Sequence, residues 1–185
     1  MNPFQPEPAA VSAAGAAEVQ LCTFRVGGEE YAIDIMRVRE VLQPAPLTPV
    51  PASPAHLLGV FRLRDDVIPV VDLARRLGLQ AEQPSRRSRF IVVRVGGRLL
   101  GLRVDEVREV LRLARAELRP APAALDAWGE RLFLGACGGE RGPAPGGRRG
   151  GAGRLRLLLN VKALLDPTPA GAIEAARALL GAAAP

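Results

Sequence analysis

The chain repeats itself. Phe24-Arg25-Val26-Gly27-Gly28 returns as Val93-Arg94-Val95-Gly96-Gly97, and Val38-Arg39-Glu40-Val41-Leu42 returns as Val107-Arg108-Glu109-Val110-Leu111, both at an offset of 69 positions and without a gap. Two copies of one unit fold alike, so the molecule must be built from two related halves. Its 185 residues suffice for one substantial domain or two small ones sharing a core.

Each copy opens on a strand signal. Cys22, Phe24 and Val26 alternate with Thr23 and Arg25, the period of a half-buried strand, and Gly27-Gly28 supplies the positive φ that a tight hairpin turn requires. Tyr31, Ile33 and Ile35 begin the return strand. The second copy repeats this with Ile91, Val93 and Val95, the Gly96-Gly97 turn, then Leu100, Leu102 and Val104. The segment Ile35, Val38, Val41, Leu42 is ambiguous: its spacing suits one helix face, while its β-branched residues suit a strand.

A proline-punctuated link (Pro44, Pro46, Pro49, Pro51, Pro54) leads to a second hairpin. This runs from Leu58 to Leu63, through a turn at Arg64-Asp65-Asp66, and back from Val67 to Val71. A short helix from Asp72 to Leu77 ends at Gly78. In the second copy Leu132-Phe133-Leu134-Gly135 answers His56-Leu57-Leu58-Gly59, and Leu157-Leu158-Leu159-Asn160-Val161 answers Pro69-Val70-Val71-Asp72-Leu73. Between them residues 138–153, mostly Gly, Pro, Ala and Arg, form an expanded surface loop. The expected organisation is a flexible extension over 1–19, a domain over 20–166 with copies near 20–80 and 88–166, and a tail over 167–185. In that tail Ile173, Ala176, Leu179 and Leu180 have the spacing of an amphipathic helix.

Composition narrows the chemistry. No apolar run approaches the roughly 20 residues that cross a bilayer, and Met1 to Glu7 show no secretory signal, which points to the cytosol. Cys22 and Cys137 form no CxxC pair and His56 is the sole histidine, so neither a metal site, a disulfide framework nor a cofactor is supported. Cys22 reads as a buried, inert thiol. The charge of +6 resides almost wholly in Arg dispersed among acids, without interleaved aromatics, which argues against nucleic acid as partner. No activated Ser or Cys, P-loop or dinucleotide fingerprint supports an enzyme, and Asp65-Asp66 reads as a turn rather than a metal pair.

The series Phe24 to Ile33, Val38-Arg39-Glu40-Val41, Leu58-Gly59-Val60-Phe61-Arg62-Leu63-Arg64, Val67-Ile68-Pro69-Val70-Val71-Asp72-Leu73 and Gly101-Leu102-Arg103-Val104-Asp105 resembles the CheW family of chemotaxis coupling proteins in order and spacing. The likeness extends to Leu165. It implies an all-β fold of two intertwined five-stranded SH3-like β-barrels with a hydrophobic core between them, and it implies a strand with a short helical turn for the ambiguous segment. It also implies a non-enzymatic adaptor that joins the cytoplasmic tip of a chemoreceptor to the regulatory domain of a CheA-type histidine kinase, a domain of the same fold. The alternative within that class is an adaptor of a motility or gene-regulatory pathway.

Carried over by motif, the receptor-binding candidates are Ile35, Val38, Glu40, Gly59, Arg64 and Gly101. Val38 and Glu40, two apart on a strand, are expected on one face, giving an apolar contact beside a charge. Arg64 matches the Arg of the family's Arg-Gly turn, but Asp65 stands where that turn has Gly, so its shape is expected to differ. Gly59, Gly101 and Gly135 mark strand bends or close backbone approach. For the kinase side, the resemblance indicates strands of the second copy without singling out residues.

Overall fold

In the computed structural model, which describes residues 18–120, 132–139 and 153–165, both copies start with a glycine hairpin. β1 (Glu18–Val26) turns at Gly27 and Gly28, with φ of 58° and 86°, into β2 (Glu29–Asp34). Both central residues being left-handed is what a two-residue type I′ turn demands. Ile35 does not continue the return strand: the Asp34 side chain accepts the Met36 N–H at 2.9 Å and starts a 3₁₀ turn, Ile35–Arg37. β3 (Val38–Leu42) follows, so the ambiguous segment is a short helical turn and then a strand.

β4 (Leu57–Leu63) and β5 (Asp66–Asp72) form the second hairpin, with Asp66 inside the strand rather than in the turn. Asp72 then caps the one-turn helix α1 (Leu73–Arg76), which Gly78 ends at φ 67°. The second copy gives β6 (Arg89–Val95), β7 (Arg98–Val104), β8 (Glu106–Ala114), β9 (Phe133–Gly139) and β10 (Gly153–Leu159). Glu18 and Val19, expected in the N-terminal extension, belong to β1 and pair with β8; the rest of that extension, the tail and nearly all of the 138–153 loop lie outside the described residues.

The ten strands form two five-stranded sheets. Sheet I runs β8-β1-β2-β10-β9 and sheet II runs β3-β6-β7-β5-β4. Each therefore takes its glycine hairpin from one copy and its other three strands from the other copy, the same order twice, which is the intertwining expected. Each sheet curls until its edge strands are joined by one bridge: Thr48, beyond β3, pairs with Val60 of β4, and Arg119, beyond β8, pairs with Ala136 of β9.

The curl produces three cores. Phe24, Ile33, Leu73, Ile91, Leu102 and Leu164 belong to the one between the sheets; Phe61, Ile68, Val70, Phe90 and Val92 fill sheet II; Leu21, Ala32, Cys137 and Leu158 fill sheet I. β1 and β6 are thus covered on both faces. Leu21, Cys22, Thr23 and Phe24 are buried in succession, as are Ile91, Val92 and Val93, where alternation alone implies one wet face.

Candidate functional site

Four of the six candidates lie on sheet II: Val38 and Glu40 on β3, Gly59 on β4, Gly101 on β7. Arg64 occupies the β4–β5 turn and Ile35, half-buried, the 3₁₀ turn before β3. Val38 and Glu40 do not share a face. The register with β6 slips between them, Val38 opposing Val93 and Glu40 opposing Val92, so Arg39 is the extra residue of a β-bulge. Val93 belongs to the core between the sheets and Val92 to the core of sheet II, which puts Val38 on the first side and Glu40 on the second. β8 has the same irregularity, since Phe24 opposes Val107 while Cys22 opposes Val110. There the Thr23 hydroxyl donates to the Glu109 carbonyl at 2.8 Å and accepts the Glu109 N–H at 3.1 Å.

Gly59 and Gly101 are both buried, and neighbours within the fold account for their lack of a side chain. At Gly59, with φ 144°, a Cβ would stand 2.5 Å from the Thr48 carbonyl oxygen, the group that closes sheet II. Gly135 stands in the same relation, at 2.5 Å, to the Arg119 carbonyl oxygen that closes sheet I. A Cβ on Gly101 would lie 3.1 Å from Val70 Cγ2, between β5 and β6 in mid-sheet.

The β4–β5 turn differs from an Arg-Gly turn in an unexpected way. The positive φ falls on Arg64, at 56°, and not on Asp65. One left-handed residue at the first central position is the pattern of a type II′ turn, where glycine is usual. Arg62 Nε donates to the Arg64 carbonyl at 2.9 Å.

Arg39 draws the outer candidates together. It approaches Glu40 at 3.8 Å and Asp66 at 3.4 Å, linking the bulge of β3 to the strand that leaves the Arg64 turn. Such exposed pairs add little stability, but through Arg39 they join the half-buried Glu40 carboxylate to the strand that follows the Arg64 turn. The repeat mate of Glu40 is engaged differently: Glu109 meets Arg156 at 3.4 Å, and Arg156 also holds Glu30 at 2.7 Å. The cation bound to Glu109 is a largely buried side chain from another strand, whereas among the described residues Glu40 has only its chain neighbour Arg39.

The alternation missed the exposed apolar side chains. Met36 is 84% exposed, and Val41 and Val67 are exposed on sheet II, as are Val110, Leu134 and Leu155 on sheet I. Val41 and Val110 hold equivalent places in the repeated motif, and Val67 and Leu155 hold equivalent places on β5 and β10. The repeat contained the signal, since apolar residues kept in both copies, on edge strands β3 and β8 and on β5 and β10, are a surface feature duplicated with the fold.

The sulfur chemistry is quiet. Cys22 and Cys137 are both buried, and burial pushes each thiol pKa up, Arg156 pulling that of Cys137 partly back. The Tyr31 ring lies between Phe24 and Phe133, with centroids 6.3 Å from each. Burial, followed by the Glu29 carboxylate, pushes its hydroxyl up to about 12.

These features define a pair of curled sheets around a shared core, each bearing exposed apolar side chains, with charged side chains beside those of sheet II. The family model of the CheW-like domain matches residues 20–168, and the chain belongs to that family. It is 43% identical to the chemotaxis protein CheW of Rhizobium meliloti over 103 residues, covering 56% of this chain and 66% of that one. It is 33% identical to protein FrzA of Myxococcus xanthus over 124 residues, covering 67% and 78%. The fold matches the scaffolding protein TtCheW of Thermoanaerobacter tengcongensis with a TM-score of 0.68, over 86% of this chain and 95% of that one, at 24% identity.

Proposed function

We propose that this protein is a chemotaxis coupling adaptor that holds a chemoreceptor tip and the regulatory domain of a CheA-type histidine kinase on one rigid body. The observation that carries this is the duplication of exposed apolar side chains at equivalent places, Val41 and Val67 on one sheet and Val110 and Leu155 on the other, on two sheets locked by a shared core. Two surfaces fixed in relation to each other are what a coupler needs and what a single-partner module lacks. The relatives named for chemotaxis support the pathway.

The receptor side is the edge of sheet II. It offers a carboxylate, Glu40, a guanidinium, Arg64, and the exposed apolar side chains of Met36, Val41 and Val67, a combination suited to an amphipathic helical hairpin. The kinase side is the sheet I surface of Val110, Leu134 and Leu155. Among the described residues no helix is long and apolar enough to cross a membrane, and recruitment to receptor arrays follows from docking.

Co-sedimentation with receptor signalling tips and with kinase tests the role. Both partners are expected in the pellet together only when this protein is present. Binding to neither, with kinase activity unchanged, would sink it.

A further inference from the structure

Arg64 is the first of the two residues turning β4 into β5, and its φ of 56° is one that an L side chain adopts only with strain. The strained peptide is tied down: Arg62 Nε reaches its carbonyl oxygen at 2.9 Å. The Arg64 guanidinium itself makes no hydrogen bond or ion pair among the described residues. This is so although Asp65 and Asp66 follow it directly and Asp66 is taken by Arg39 at 3.4 Å. In a relaxed turn a freely moving Arg64 can fold its guanidinium onto either neighbouring carboxylate and neutralise itself.

We infer that Arg62 is a positioning residue, whose guanidinium locks the Arg64 peptide so that the Arg64 fork stays unpaired for a carboxylate on the docked partner. This rests on the coupling role proposed above and takes that partner to be the receptor tip. A guanidinium meets a carboxylate with two parallel hydrogen bonds, so the aim of the fork matters as much as its charge.

The test is a double-mutant cycle on the full chain: affinity for a soluble receptor signalling-tip fragment, in low and high salt, for the parent, Arg62→Met, Arg64→Gly and the double variant. Arg62→Met keeps the stem and removes the donors, and both side chains are exposed, so folding is checked simply by the thermal midpoint. Arg64→Gly is expected to weaken binding by roughly tenfold or more, the scale of a charged hydrogen bond. Arg62→Met is expected to weaken it by a smaller factor, to flatten its salt dependence, and to have no effect in the Arg64→Gly background. Unchanged affinity in Arg62→Met, or losses that multiply in the double variant, overturns the positioning role while leaving the coupling role standing. A parent chain that does not bind the tip overturns both.

Discussion

At Thr23 a buried hydroxyl substitutes for a rung of the sheet. It is 0% exposed and bonds both backbone groups of Glu109 across the β8 bulge, where Val92 and Glu40 of the other copy pair along the ladder. Thr23→Val keeps the shape and strands a peptide N–H and C=O, so it should lower unfolding stability by about 1–3 kcal/mol in urea titration. A change below about 0.5 kcal/mol would contradict this role, being no more than a neutral surface substitution produces. The sequence suggested solvent for Thr23, because strict alternation identifies faces only when one of them is wet. The opposite experiment applies at Arg64, where glycine removes left-handed strain of about 1–2 kcal/mol against its own entropic cost of roughly 0.5–1 kcal/mol. Arg64→Gly is therefore expected to unfold at a slightly higher temperature even as it binds less well. For Tyr31 the folded pKa is raised from 10.0 to about 12, so the neutral hydroxyl favours folding. Its contribution is complete below pH 10 and is lost as pH rises toward 12, by roughly 2–3 kcal/mol. Tyr31→Phe should remove that part of the alkaline loss, and an unchanged profile would contradict it.

Among the elements, the strands and both glycine turns were legible from sequence because period and turn chemistry are local. The β3 bulge was not, since register is set by the partner strand, and it separates Val38 from Glu40. The glycines carry the same lesson. Gly59 entered as a candidate contact for a partner, yet its Cβ position is taken by the carbonyl of Thr48, as that of Gly135 is by Arg119. Gly59→Ala and Gly135→Ala should both destabilise by about 2–4 kcal/mol in thermal or urea unfolding, although only the first lies on the sheet of the proposed receptor face. Near-parental stability in Gly59→Ala would restore the argument for direct contact.

For the whole molecule, the repeat foretold two related halves but not which sheet each strand joins. That exchange follows from burial: the glycine hairpin of each copy has two apolar faces and is covered only by entering the sheet of the other copy. The resemblance supplied the intertwining; the offset alone did not. The exchange is pinned by charge, since buried Asp72, which caps α1, accepts from Arg103 of the other copy at 2.9 Å. On the coupling role proposed, the two docking surfaces are expected to be separable by mutation without loosening either. Leu155→Asp should weaken kinase-domain binding about tenfold or more and leave receptor binding intact, while Val67→Asp does the reverse. Both variants losing both partners would mean that the surfaces are not independent.

The central claim is coupling, and it is tested most directly by reconstitution. Kinase autophosphorylation would be measured with receptor tips in membranes, with and without this protein, and with an equal mixture of Leu155→Asp and Val67→Asp. The parent is expected to raise receptor-dependent activity. The mixture should fail to do so, because no one molecule in it holds both partners. Activity restored by the mixture would show that the two surfaces need not share a body, and would contradict the account.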